Sequence, residues 1–188
     1  MDLTNNTNKT LVFFFLYLTL LVGYYFGENT AGGAYSDFQL RIKIIEEFKN
    51  NFTDTFLNYN NLGDRHSPIL IMILSFFSIL GIDLDIIRFI HMNFLLLLIL
   101  ISYKCLILKF GNGNKNILFL VCCVFFLSPS LRSIAIWPDS RMLGLIIFLF
   151  SSFFFLKFKN KHEFKDCIYS NILLILSAYI SPNFSIFF

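Results

Sequence analysis

The sequence is poor in charged residues. Of its 188 residues, 56% are hydrophobic and only 14% are Asp, Glu, Lys or Arg, and the mean hydropathy is +0.69. A water-soluble domain usually carries about 25% charged residues. The composition therefore excludes the soluble, disordered and fibrous classes and predicts an integral membrane protein.

Cysteine is also scarce, and its placement excludes two further classes. The four cysteines are Cys105, Cys122, Cys123 and Cys167, and no CxxC pattern occurs. We interpret them as small apolar or incidental thiols, rather than as a disulfide framework or a metal site. The net charge of +3 is too small to indicate a nucleic-acid partner.

Six apolar runs are the candidates for membrane-spanning helices. They lie at residues 11–26, 68–82, 86–108, 116–137, 142–156 and 167–182. A crossing helix needs about 20 mostly apolar residues, with a minimum of about 17, so several runs must extend into their flanks. Any run that crosses is helical, because lipid offers no hydrogen-bond partner for an open backbone.

The positions of the charges decide which runs cross. Two loops are basic and segment 27–88 is acidic, with eight acids against five bases. The lysines of the two loops are Lys104, Lys109 and Lys115, and Lys157, Lys159, Lys161 and Lys165. Basic loops prefer the cytoplasmic side, and they separate from the acidic segment only if run 68–82 does not cross. We therefore expect residues 68–82 to form a re-entrant or interfacial helix.

The predicted fold is an all-α, polytopic transmembrane bundle with a long first outer loop at residues 27–87. The expected crossings are 11–26, 88–108, 116–137, 141–156 and 167–182. The N-terminus is expected in the cytoplasm, with the protein in a bacterial inner membrane. Residues 1–188 are expected to form one domain, the N-terminal part of a longer protein. A signal peptide cleaved near residues 31–34 is the alternative for the first run, but its basic region is weak.

The first outer loop contains a predicted amphipathic helix. Ser36 and Gln39 match a capping box that would begin it. The apolar positions at helical spacing are Phe38, Ile42, Ile45 and Phe48 or Phe52. Charged residues lie between them, which predicts a helix lying on the bilayer surface.

Asp37 and Asp139 are the candidate catalytic carboxylates, and each also has a purely structural explanation. Asp37 lies in the first turn of the predicted helix, where an acid complements the helix dipole. Asp139 follows Trp137 and Pro138, where it can cap the next helix. Alternatively, each carboxylate could act as a general base or a metal ligand at the outer surface.

Basic residues and a histidine fall in the same predicted outer layer. Arg132 lies inside an apolar run, where a charge is functional by default or extends to the interface. Arg88 begins a crossing, Arg141 follows Asp139, and His66 precedes Ser67 and Pro68. Two carboxylates with several guanidinium groups suit a reaction in which a phosphate leaves.

The order of these motifs resembles the GT-C glycosyltransferases, which use lipid-phosphate sugars. The similarity is greatest to the protein O-mannosyltransferases and the lipid A aminoarabinose transferases. The matching elements, in chain order, are Asp37 early in the outer loop, His66-Ser67-Pro68, Arg88, Ser128-Pro129-Ser130 and Asp139. One departure is Phe38, which stands where many relatives carry a second acid.

The resemblance implies transfer of a sugar from a polyprenyl-phosphate donor to a hydroxyl of a glycan, lipid or protein acceptor on the extracytoplasmic face. Asp37 would be the general base or bind the acceptor, and Asp139 would assist, with or without a divalent metal ion held by the two. The leaving phosphate would be held by Arg88, Arg132, Arg141 and His66. The alternative is a transporter or lipid-linked glycan flippase that uses the same residues without bond chemistry.

The predicted topology can be tested by cysteine labelling in intact cells. Cysteines introduced at Asn112 and Asn160 should be protected from an impermeant thiol reagent, and one at Asn61 should react, because the basic loops are expected inside. Labelling at Asn112 would instead make 68–82 a true crossing.

Overall fold

The computed structural model describes residues 6–30, 33–64 and 66–187, and the regular structure within them is helical. The α-helices are α1 (Asn6–Tyr25), α2 (Ala34–Asn50), α3 (Phe52–Leu57), α4 (Ile69–Ile79), α5 (Leu84–Met92), α6 (Phe94–Phe110), α7 (Lys115–Cys123), α8 (Pro129–Ile136), α9 (Ser140–Lys161) and α10 (Phe164–Ile180). Short 3₁₀ helices cover Tyr59–Leu62, Val124–Leu127 and Pro182–Phe187. The predicted all-α class is confirmed.

Three helical segments of the described chain are long and apolar enough to cross a membrane. They are Asn8–Tyr25, Leu84–Phe110 and Ser140–Lys161, and a bent pair formed by residues 115–136 makes a fourth if it counts as one span. The sequence predicted five crossings. The fifth, 167–182, corresponds to α10, which has 17 residues and does not meet the same criterion.

The second spanning segment begins before the predicted start at residue 88. Helix α5 starts at Leu84 because the Asp83 carboxylate accepts a hydrogen bond from the backbone N–H of Asp85 and so caps the helix. Helices α5 and α6 meet at Asn93, whose side-chain oxygen accepts a hydrogen bond of 2.8 Å from the Tyr17 hydroxyl. Arg88 therefore lies one turn inside the segment, rather than at its first residue.

The predicted single helix over residues 116–137 is wrong, because the structure divides it. Helix α7 passes into a 3₁₀ turn, and α8 then leaves at an angle of 68°. Pro129 lacks a backbone N–H and clashes with the preceding turn of a continuous helix. Ser128 caps the new helix by accepting from the Leu131 N–H at 3.4 Å.

The predicted Ser36 cap of α2 is also wrong. The helix begins two residues earlier, at Ala34, which is fully buried. Gly33 precedes it with φ 68°, a left-handed conformation that glycine adopts without a Cβ penalty. The burial of Ala34 and the freedom of Gly33 thus set the start of the helix in place of a side-chain cap. Asp37 still lies in the first turn.

The apolar face of α2, whose stripe predicted a helix on the bilayer surface, is covered by protein. Phe38, Ile45 and Phe48 are each at most 2% exposed. Helix α2 packs against α4, and the Phe38 ring lies 6.0 Å from that of Trp137. Burying such side chains stabilises the fold by about 1.5–3 kcal/mol each.

Helix α4 forms most of the apolar run 68–82, which the charge pattern predicts not to cross the membrane. Its 11 residues extend for about 16 Å at about 1.5 Å per residue, and the hydrocarbon core of a bilayer is about 30 Å thick. Leu70 and Ile71 bury one face, while Ile73 and Phe76 on the other are 42% and 58% exposed. The length and the outward apolar face suit a helix that enters lipid without crossing it.

The lysines that end α9 and the Asp139–Arg141 pair lie at opposite ends of that helix. At the C-terminal end of α9, the Asn160 amide donates to the Leu108 carbonyl, and Lys157 pairs with Asp166. Asp139 and Arg141 lie at the N-terminal end of the same 22-residue helix. These groups therefore lie at opposite ends of α9, and the side of the membrane that each end faces stays a prediction.

Small polar residues join α9 to α10. The hydroxyl groups of Ser151 and Ser170 each donate to the other residue's backbone carbonyl, at 2.7 and 3.0 Å. Ser177 donates to the carbonyl of Gly144 at 3.1 Å. Small residues allow the helix backbones to approach closely, which is how helices associate in lipid.

We expect Gly144→Ala to destabilise this contact. A Cβ at residue 144 would lie 2.7 Å from Ser181 Cβ and 3.0 Å from Phe184 Cε2. Overpacking of this kind costs about 1–3 kcal/mol. Gly113→Ala is the control, because nothing lies within 4 Å of a Cβ there. Unfolding of the detergent-solubilised protein measures both, and equal stabilities would contradict the close packing.

Candidate functional site

An open cavity of about 690 Å³ lies beside α2 and the segment that precedes α4. Its lining combines acids, bases and aliphatic side chains. The lining residues are Asp37, Leu40, Arg41, Lys43, Ile44, Glu47, Leu62, Gly63, Asp64 and His66. Two of the residues singled out from the sequence, Asp37 and His66, therefore share one cavity.

Asp37 is an accessible carboxylate of the cavity. Its side chain is 45% exposed. Its Oδ2 lies 3.5 Å from Nη2 of Arg141, which approaches from the start of α9. Because this contact is long and half-exposed, the carboxylate can still accept a proton or a hydrogen bond from a molecule in the cavity.

Asp139 lies behind that pair and is fully buried. It caps α9, with Oδ1 accepting from the backbone N–H of Arg141 at 2.7 Å. The Arg141 guanidinium adds two bonds of 2.9 Å, one to each carboxylate oxygen. The capping role predicted for Asp139 is therefore present, together with a bidentate ion pair that fixes Arg141.

The pKa of Asp139 reflects a contest between burial and these partners. Burial acts to raise the pKa, while the hydrogen bonds from Arg141 and the charge of Arg41 lower it. The partners prevail, and the pKa lies below its ordinary value. Asp139 is thus ionised at neutral pH, as a buried carboxylate can be only when it is paired.

Arg41 completes the site, although the sequence analysis did not identify it. It is 4% exposed. Its Nε lies 3.1 Å from Asp64 Oδ2, and its Nη1 lies 3.4 Å from both Asp139 Oδ2 and the Pro138 carbonyl. The available signal was spacing: Arg41 falls between Phe38 and Ile45 on the helix face that is buried.

Asp64 and His66 form the wall of the cavity opposite α2. The backbone N–H of His66 donates to Asp64 Oδ1 at 2.9 Å, and the Tyr59 hydroxyl donates to the His66 carbonyl at 3.1 Å. Burial, assisted by the charge of Arg41, lowers the pKa of His66, which is therefore neutral at pH 7. Its Nδ1 is buried and has no hydrogen-bond partner among the described residues.

Arg88 is engaged by aromatic rings. Its guanidinium carbon lies 3.8 Å from the Trp137 ring centroid and 5.2 Å from that of Tyr24. It also pairs with Asp85 at 2.8 Å. Cation–π contact with tryptophan is the strongest of its kind, so Arg88 supports the turn that carries Asp139.

Arg132 forms a separate cluster with Glu28. The sequence analysis did not identify Glu28 as its partner. Its Nε donates to Glu28 Oε1 at 2.8 Å, and its Nη1 donates to the Thr19 hydroxyl and the Phe126 carbonyl at 3.1 Å. Hydrogen bonds from Arg132 lower the pKa of Glu28. Phe126 lies in the bend before α8, so Arg132 ties that bend to α1.

The two candidate metal ligands, Asp37 and Asp139, contact the same guanidinium, that of Arg141. Within residues 6–30, 33–64 and 66–187, no three side chains of His, Cys, Asp or Glu are grouped as a metal site requires. The Asp37 and Asp139 carboxylates and the Arg141 guanidinium thus form one contact group.

Comparisons with protein-family models, with curated proteins and with solved structures found no match to this chain. The candidate site consequently rests on its own geometry.

Asp139→Asn should destabilise the fold strongly, because it leaves the buried guanidinium of Arg41 and the partly buried one of Arg141 without their shared anion. We expect a loss of about 3–5 kcal/mol at pH 7. Asp85→Asn is the control, since that carboxylate is 75% exposed and its pair should contribute under about 1 kcal/mol.

The pH dependence follows from the lowered pKa of Asp139. The stabilisation is fully present above the unfolded value of about 4 and is lost as the pH falls through the lower folded value. Denaturant unfolding in detergent at several pH values would show it. Equal stabilities of Asp139→Asn and Asp85→Asn would contradict the buried network.

Proposed function

We propose that the chain is part of a membrane glycosyltransferase that moves a sugar from a polyprenyl-phosphate donor to a hydroxyl acceptor on the extracytoplasmic face. The observation that carries the proposal is the half-exposed Asp37 carboxylate, which lines a cavity of about 690 Å³ with a fixed guanidinium at 3.5 Å. A proton acceptor beside a fixed cation is the pair that this reaction needs.

In the proposed step, Asp37 acts as the general base. The acceptor oxygen attacks the anomeric carbon of the donor sugar and forms the new C–O bond, while its proton passes to the Asp37 carboxylate. The bond between the anomeric carbon and the phosphate oxygen breaks, and the electron pair leaves with the lipid phosphate. General base catalysis contributes about 10²–10⁴-fold to such a reaction.

Arg141 is proposed to stabilise the leaving phosphate. Its charge is positioned in advance by Asp139, so the developing anion meets a cation that needs no reorganisation. The neutral His66 imidazole in the cavity wall can hydrogen bond to the sugar or the phosphate. Arg88 and Arg132, assigned to the phosphate on resemblance, have their own partners in the fold, and we propose structural roles for them.

Further carboxylates line the cavity, although Phe38 replaces the second acid of many relatives. Asp64 is held by Arg41, while Glu47 lies on the same face of α2 as Asp37, ten residues along the helix. Glu47 is exposed. We propose that Glu47 can contact an acceptor that extends along α2, which gives the cavity a second accessible acid.

A transporter or lipid-linked glycan flippase is the second candidate function, and one observation favours it. The span formed by α7 and α8 is broken by 68° at Ser128. Discontinuous helices are typical of substrate sites in transporters. At this break, however, the charged side chains Arg132 and Glu28 are paired with each other, which supports a fixed bend rather than an open binding site.

Asp37→Asn in the full-length protein tests the transferase. We expect transfer from a polyprenyl-phosphate sugar in proteoliposomes to fall by about 100-fold or more, because an amide cannot take the proton. Glu46→Gln is the matched control: it makes the same change at an exposed position of α2 and should retain activity.

Two outcomes would contradict the proposal. Transfer that persists in Asp37→Asn would remove the assigned base. Movement of labelled lipid-linked sugar across the bilayer, without transfer in the wild-type protein, would favour the second candidate.

A further inference from the structure

The Asp37–Arg141 pair of the candidate site is connected to a series of buried ion pairs. Asp37 contacts Arg141, Arg141 is held by Asp139, Asp139 contacts Arg41, and Arg41 contacts Asp64. Side-chain exposure falls along this series, from 45% at Asp37 to 28% at Arg141 and 0% at Asp139. The outer pair is thus the exposed end of a network whose position is set inside the protein.

We propose that Arg41 is a positioning residue that sets the charge presented to the cavity at residue 37. Arg41 pairs with Asp64 and with Asp139, and it acts on the Asp37–Arg141 pair through Asp139. This inference deepens the proposed function, because the same cavity and the same Asp37–Arg141 pair carry both.

The geometry requires the planar fork of an arginine at residue 41. One nitrogen faces Asp64 and another faces both Asp139 and the Pro138 carbonyl. A lysine ammonium is a point charge and cannot reach these partners in the same arrangement. Arg41→Lys therefore keeps the charge and removes the link between the α2 side of the cavity and the start of α9.

The contact between Arg141 and residue 37 is the one that should respond. The Arg141 guanidinium donates two bonds of 2.9 Å to Asp139 but makes only a 3.5 Å contact with Asp37. When Asp139 loses Arg41, it is free to turn, and Arg141 follows it because those bonds are the shorter ones. The positive potential at residue 37 should then decrease.

The experiment measures that potential without using the proposed reaction. In the full-length protein with Cys105, Cys122, Cys123 and Cys167 replaced by Ala, a cysteine is introduced by Asp37→Cys. Its reaction rates with an anionic and a cationic methanethiosulfonate are compared. We expect Arg41→Lys to lower the anionic-to-cationic rate ratio by about threefold or more, because the nearby cation moves away.

Lys49→Arg is the matched control for the charge-conserving change. Lys49 is exposed on the same helix and lies outside the site, so its substitution should leave the ratio unchanged. An unchanged ratio in Arg41→Lys, or an equal decrease in Lys49→Arg, would overturn the positioning role.

A second variant keeps the test valid if Arg41→Lys fails to fold. The pair Arg41→Gln with Asp64→Asn removes one charge of each sign and nearly conserves volume, and it should lower the ratio to the same extent. Glu46→Gln with Lys49→Gln is its charge-balanced control on the exposed face of α2. A ratio equal to that of this control would count against Arg41.

A transfer assay separates this inference from the proposed function. With Asp37 restored, Arg41→Lys should lower kcat for sugar transfer by about 10-fold with a smaller change in KM, since the interaction acts on the transition state. If the wild-type protein shows no transfer while the thiol ratio falls as expected, the proposed function fails and the role of Arg41 stands.

Discussion

The burial of one ionised carboxylate constrains the end of this fold that carries the cavity. Asp139 is fully buried, and an unpaired charge in that position would cost several kcal/mol. Two guanidinium groups from separate helices must therefore converge on it. Arg41 joins α2 to Asp139 and also pairs with Asp64 in the cavity wall. Arg141 joins the start of α9 to the same carboxylate. The cavity exists because these elements meet around one charge.

The sequence predicted the individual roles better than the partnerships. The cap at Asp139 and the first-turn position of Asp37 follow from local rules, and both are present. Arg41 is one of the charged residues between the apolar positions of the predicted helix, although its spacing from Phe38 places it on the buried face. Arg88 and Arg132 were grouped with Asp37 by side of the membrane, but the sequence could not show that Trp137 and Glu28 would contact them instead.

Hydropathy predicts which segments enter a membrane, but it does not predict where a helix bends or what its apolar face contacts. It counts apolar residues and carries no direction, so residues 116–137 were predicted as one helix despite Pro129. The fold bends there, and Arg132 satisfies the Phe126 carbonyl that the break exposes. The apolar face of α2 is likewise predicted to contact lipid, because an apolar stripe does not show what covers it. In the structure, α4 packs against α2.

The Ser and Gly contacts between α9 and α10 have a consequence for how the protein is made. Helix α10 carries Asp166, Asn171 and several serines, so alone it would enter lipid at a high cost. Paired with α9, its Asp166 faces Lys157 and its Ser170 and Ser177 donate to α9 carbonyls. We therefore expect α10 to enter a membrane only together with α9, as a helical hairpin whose polar contacts have already formed.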